Sequence, residues 1–209
     1  AVALGIPKGL LLADSFYGDV AEFRDGVRAA GLEYGVDVKV HTRVRLIGAD
    51  GSEGAPMSVL ELARDLPRKA FRKVTWREGT RKSLASRFAA VRVRIEHSDG
   101  LWREEEWLLV EWPKSEKDPT HYVLCTLGKS VTCKELVRRI KQRWRIERSY
   151  EDMKGELGLD HFEGRMWRGW HHHVSVVLCC YAFVVSERVR RFPPSTAGSQ
   201  EDGPHACAA

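Results

Sequence analysis

The sequence predicts an α/β fold whose core is interrupted by a β-rich insertion. Three features carry that prediction. The chain opens on a strand–turn–helix–strand pattern between Gly9 and Val40. A middle stretch then supplies short strand-like runs, rich in tryptophan and separated by Gly, Ser and charge clusters. Long helical patterns close the ordered part of the chain.

The elements follow in order. Gly9 to Asp14 (Gly-Leu-Leu-Leu-Ala-Asp) is a continuous apolar run ending in an acid, the pattern of a fully buried strand. Ser15 to Asp19 reads as a turn, Val20 to Ala30 as an amphipathic helix closed by Gly31, and Tyr34 to Val40 as the next strand. Residues 1–40 are thus expected to be one part of the core. Residues 41–119 are expected to form the insertion, with strands at Lys73–Trp76, Ala89–Glu96 and Glu106–Trp112 and a helix at Ser58–Asp65. Four of the seven tryptophans (Trp76, Trp102, Trp107 and Trp112) fall in it. Residues 120–192 should resume the core: a strand at His121–Thr126, then a helix from an N-capping Thr132, with Glu135 completing a capping box, to about Leu157. Gly155 and Gly158 weaken its end. A second helix, about Trp170 to Arg190, is apolar on most faces and is expected to pack inside. Residues 193–209 form a Pro/Gly/Ser/Ala tail, expected to be disordered.

Bulk composition narrows the function classes. With 43% apolar and 30% charged residues among 209, the chain is an ordinary globular protein. A net charge of +5 favours a polyanionic partner. The five cysteines show neither a zinc-type spacing nor a disulfide framework, and read as reduced thiols, mostly core filler. The longest apolar run, Val174 to Val185, is too short and mixed to span a bilayer. The first residue is Ala1 rather than methionine, which suggests a chain that begins partway into something longer.

Two constellations could carry chemistry. Asp14 stands at the carboxyl end of a strand, where α/β sheets place active sites and where a hard carboxylate can hold Mg²⁺. It could equally be the N-cap of the helix that follows. Farther on, Arg143, Glu147 and Lys154 are spaced by four and seven residues, so on a helix they lie within about 40° of one another. An acid between two cations suits phosphodiester chemistry, and the same spacing also suits plain i,i+4 ion pairing on a solvated face.

Taken together, these residues resemble a known family. Leu11 to Asp19 (Leu-Leu-Ala-Asp-Ser-Phe-Tyr-Gly-Asp) is similar to the second-aspartate strand of DDE-type insertion-sequence transposases, which have a ribonuclease H-like core. Arg143-Trp-Arg-Ile-Glu147 with Lys154 resembles the helix that carries their Tyr–Arg–Glu–Lys signature, although the tyrosine place is Ile140 here. Trp167-Arg-Gly-Trp-His-His-His173 before an apolar helix extends the likeness, which runs from about Leu10 to Phe192.

The resemblance implies the C-terminal part of a transposase, with an incomplete ribonuclease H-like core. Asp14 and Glu147 would be catalytic metal ligands, and Arg143 and Lys154 would grip the transposon end. The cofactor would be Mg²⁺, two ions in the complete site, with Mn²⁺ as the substitute. The partners would be transposon-end and target DNA, with a homodimer in the active complex, no membrane, and the bacterial cytosol as the location. The family's first catalytic aspartate lies on an earlier strand. None of the thirteen residues before Asp14 is acidic, and Leu4, Gly5 and Ile6 cannot replace it. The expectation is therefore a truncated transposase. The competing readings are a metal-dependent nuclease of the same core and a non-catalytic DNA-binding remnant.

Nine Lys and Arg residues from Arg64 to Arg87 surround Trp76 and face two acids, Asp65 and Glu78. This is the composition of a backbone-tracking, base-stacking surface, or of a solvated face. Arg138, Arg139, Lys141, Arg145 and Arg148 add charge around Glu147, with Arg139 a candidate DNA contact. His171, His172 and His173 diverge by about 100° each on a helix, so they cannot share one metal and read as structural. Glu104 to Glu106 reads as a solvated run.

Overall fold

A computed structural model describes residues 8–77, 84–97 and 99–192. The expected tail at 193–209, together with Leu4, Gly5, Ile6, Glu78, Arg81, Lys82 and Cys207, lies outside the described residues. The chain divides into two compact units, the first running through Gln142 and the second beginning at Arg143.

The first unit is a mixed sheet with helices on its faces. Strand β1 (Leu10–Ala13) leads through a one-turn helix α1 (Ser15–Gly18) and helix α2 (Ala21–Ala29) to β2 (Glu33–Asp37), which pairs parallel with β1. Parallel neighbours require such a crossover. After them come β3 (Arg43–Leu46), β4 (Met57–Ser58), α3 (Val59–Asp65), β5 (Arg72–Arg77), β6 (Leu84–Ile95), β7 (Glu106–Glu111), β8 (His121–Cys125) and α4 (Cys133–Ile140). The strands form one sheet in the order β1-β2-β8-β7-β6-β3-β4, with β5 also paired to β6. The strands between residues 41 and 119 therefore extend the core's sheet through the antiparallel β7–β8 pair.

Alternation explains the two-sided core. In β7 and β8, Leu108, Val110, Tyr122 and Leu124 join one buried cluster, with Val59, Leu62 and Ala63 of α3 and Val27 of α2. Trp107, Leu109, Val123 and Cys125 face the other cluster, with Cys133, Leu136, Val137 and Ile140 of α4. Successive side chains point to opposite faces, so a strand covered on both sides has no polar face. Helix α3 begins as the sequence signals. Ser58 Oγ accepts from Glu61 N, and the Glu61 carboxylate accepts from Ser58 N at 2.8 Å.

The single helix expected from Thr132 to Leu157 is instead two. Helix α4 ends at Ile140, a 3₁₀ turn spans Lys141–Arg143, and α5 (Trp144–Leu157) begins the second unit. The reason lies at Lys141. Its ammonium group is held 2.6 Å from the buried carboxylate of Glu111 on β7 and sits over the Trp76 ring. Helix α5 ends at Gly158, whose φ of +66° gives a left-handed cap, and Gly155 stays within the helix.

In the second unit α5 is followed by α6 (Trp167–Arg191). The expectation of an inward-packed α6 is not met. Val177 is buried, but Val176, Leu178, Phe183, Val184, Val185 and Val189 are exposed. A helix apolar on most faces needs neighbours all round, and α5 is the helix that meets it within this unit. Tyr181 donates to Ser149 Oγ at 3.0 Å, and His173 Nε2 donates to Gly158 O at 3.0 Å, so both contacts join α6 to α5 or its cap. Cys179 and Cys180 are exposed on α6 as well, so these two thiols are not core filler.

Candidate catalytic acids and nucleic-acid interface

Asp14 follows the last residue of β1 and is the N-cap of α1, with Oδ1 accepting from Phe16 N at 3.1 Å. The cap engages one carboxylate oxygen, and the side chain is exposed. The elbow it starts is fixed from below. Gly18 N donates to Asp14 O at 2.8 Å. Gly18 itself lies so close to β2 that an added Cβ would stand 1.9 Å from Asp37 O. The buried guanidinium of Arg24 donates to Gly18 O, and Lys39 donates its backbone N–H and its ammonium to the Asp19 carboxylate at 3.0 Å each. None of these supports carries a sequence motif. Only the i, i+3, i+6 spacing of Ala21, Arg24 and Val27 marks Arg24 as inward-facing.

Glu147 belongs to the second unit, on the first turn of α5. Its carboxylate is 63% exposed and lies 3.5 Å from the Arg143 guanidinium one turn earlier. Lys154 is exposed two turns later on the same helix. Arg148 pairs with Asp152 at 3.0 Å, and Arg139, on α4, with Glu135 at 2.6 Å. Ile140, at the place of the signature tyrosine, is buried, with its side chain against Gly35 of β2. That position is a core contact here.

Trp76 is half-buried on β5, its ring edge-to-face with Phe88 at 5.6 Å and covered by the Lys141 ammonium at 4.8 Å. In the basic stretch, Arg64 is bound to Asp118 at 2.8 Å, while Lys69, Arg72 and Lys73 are exposed. His171 stands edge-on to Trp167 at 4.2 Å.

The expectation for Glu104 to Glu106 is corrected in part. Glu104 is exposed, but Glu105 is tied to Lys129 at 2.6 Å and Glu106 has no exposed surface. The Tyr34 hydroxyl donates to Glu106 at 2.8 Å, and the Arg28 guanidinium lies 3.4 Å away. Burial pushes the Glu106 carboxyl above its ordinary range, and Arg28 and the Tyr34 hydrogen bond oppose that shift. The period-two alternation of β7, with 106, 108 and 110 on one face, is the signal that places Glu106 inward.

Asp14 and Glu147 are each exposed carboxylates, the hard-oxygen donors that Mg²⁺ takes. Among the described residues, no three His, Cys, Asp or Glu side chains converge as a metal site. Among the described residues, no helix is long and apolar enough to cross a membrane.

The family model for the transposase DDE domain matches residues 3–183. No curated protein matches the chain. The match spans β1 with Asp14, the sheet, the Arg143–Glu147–Lys154 helix and most of α6, on a mixed α/β fold consistent with a ribonuclease H-like core. The chain belongs to the DDE transposase family.

Proposed function

We propose that this chain carries two of the metal-holding acids, Asp14 and Glu147, of a transposase that cuts and joins DNA strands at transposon ends. The observation that carries the reading is the pairing of two features in one family-matched chain: an acid at the carboxyl end of β1, and the Arg143–Glu147–Lys154 set on α5. The reaction is hydrolysis followed by transesterification. Water attacks a phosphorus and the 3′-oxygen leaves as a free hydroxyl; that hydroxyl then attacks a target phosphorus, displacing another 3′-oxygen. A divalent ion held by such acids supplies charge stabilisation to the entering and leaving oxygens.

The chain's own residues supply positioning. Arg143 and Lys154 hold phosphates on either side of Glu147, and Arg143 also orients the Glu147 carboxylate through their 3.5 Å contact. The Gly18–Arg24–Asp19 supports fix the elbow that presents Asp14. Arg139 and Trp76 extend the DNA-facing surface, and Mg²⁺ or Mn²⁺ is the ion.

Two of the family's three acids stand within these 209 residues, because no acid precedes Asp14. The polypeptide alone should therefore bind its DNA ends without cutting them. Incubation with Mg²⁺ and labelled duplex bearing the terminal repeats that flank its own gene tests this. Expected are end-specific binding that survives Asp14→Asn and Glu147→Gln, and intact strands. Cleavage abolished by Glu147→Gln would overturn the two-acid reading, and loss of end preference would overturn the transposon-end reading. A joined product would separate a transposase from a nuclease of the same core.

A further inference from the structure

A cleft of about 250 Å³ opens beside the β7–β8 connection, with Phe71 and Trp112 among its walls and Arg68, Arg87, Lys114 and Lys117 around them. Four cations share this cleft with one acid, Glu116. Elsewhere in the unit several arginines are matched: Arg43 with Glu96, Arg64 with Asp118, Arg103 with Asp25, and Arg139 with Glu135. Among the described residues, none of the four cleft cations makes an ion pair. Like charges gathered at one concavity repel, and an anion at their centre relieves that repulsion.

The connection that carries Lys114 and Lys117 is also braced. Trp112 N donates to Arg87 O at 2.9 Å, the Trp112 indole N–H to Glu116 O at 3.1 Å, and Glu116 N to Pro113 O at 3.1 Å. Arg64 clamps Asp118 through two nitrogens at 3.1 and 2.8 Å. Phe71 and Trp112 meet edge-to-face at 5.3 Å, leaving apolar wall between the charges. A braced loop holds its cations in place before any ligand arrives, which lowers the ordering cost of binding.

We propose that this cleft is a phosphate-binding site. It takes the phosphate of a nucleotide, either within a DNA backbone or as a free mononucleotide. Guanidinium groups from Arg68 and Arg87 match phosphate oxygens in forked geometry, the two lysines add point charges, and the aromatic wall packs the attached sugar. The volume admits one phosphate with its sugar, so a duplex would present a single backbone position at the mouth. The site goes beyond the proposed metal ligands and uses neither Asp14 nor Glu147. Variants of those acids leave it intact, so the two ideas fail separately.

The test compares the whole chain, Lys114→Gln/Lys117→Gln on the exposed turn, and Lys8→Gln/Lys134→Gln as an equal loss of charge outside the cleft. Arg68→Gln/Arg87→Gln serves as a second cleft variant should the first lose its cooperative melt. Probes are a labelled duplex, 5′-AMP and inorganic phosphate. The cleft variant should weaken its ligand about tenfold more than the control pair. With the duplex it should also lower the slope of log affinity against log salt by about 1. A response confined to the duplex assigns the site to backbone phosphate. A response with 5′-AMP or phosphate assigns it to free nucleotide. Equal affinities for all three probes in the cleft variant and the control pair would overturn the proposal.

Discussion

Glu106 is a carboxylate without exposed surface, and its surroundings set how the fold responds to pH. Burial raises its pKa in the folded state above the ordinary Glu value of about 4.3. The folded chain therefore holds that proton more tightly than the unfolded chain. Its stabilising contribution is complete below the ordinary range and is lost as pH rises through the folded value. Glu106→Gln removes the titration, so urea midpoints of the variant should gain on the parent as pH rises; parallel profiles would refute this. Gly18 is a second residue with a sharp consequence. Its Cβ would collide with Asp37 O, so Gly18→Ala should cost about 1–3 kcal/mol in urea unfolding. The thiols divide as well. Burial pushes the Cys125 pKa up to about 11, while Cys179 and Cys180 are exposed. Iodoacetamide should label Cys179 and Cys180 before Cys125 and Cys133, as read by peptide mass mapping.

At the scale of elements, the break between α4 and α5 depends on Lys141. Its ammonium neutralises Glu111, which is buried on β7. Lys141→Met should cost about 3 kcal/mol, because it strands a buried charge, and adding Glu111→Gln should restore much of the loss. Equal stability of the single variant and the parent would show that the pair does not anchor α4. This break also shows what the sequence left illegible. Thr132 and the apolar spacing of Cys133, Leu136, Val137 and Ile140 mark α4 clearly, and Glu147 and Lys154 mark a helical face. Nothing local between Ile140 and Trp144 signals an interruption, because the cause is a tertiary partner on β7. Glu106 was hidden for a related reason: three consecutive glutamates read as solvated until the sheet puts the third on an inward face. Helix α6 fails in the other direction, since its composition reports apolar faces without reporting what covers them.

For the whole molecule, the sequence made the parallel β1–β2 opening and the strand-rich middle legible through period and turn residues. It did not reveal that the middle strands continue the same sheet, because strand order depends on pairing between residues far apart, such as Leu108 with Leu124. Asp14 and the Arg143–Glu147–Lys154 set were legible as types and spacings. Their supports, Gly18, Arg24 and the Asp19–Lys39 pair, became visible only in the fold. The central claim is that Asp14 and Glu147 are metal-holding acids. Mn²⁺ titration followed by electron paramagnetic resonance tests it most directly, on the parent chain, Asp14→Asn and Glu147→Gln. The account predicts that either substitution weakens Mn²⁺ binding about tenfold. Mn²⁺ binding unchanged by either substitution would contradict it.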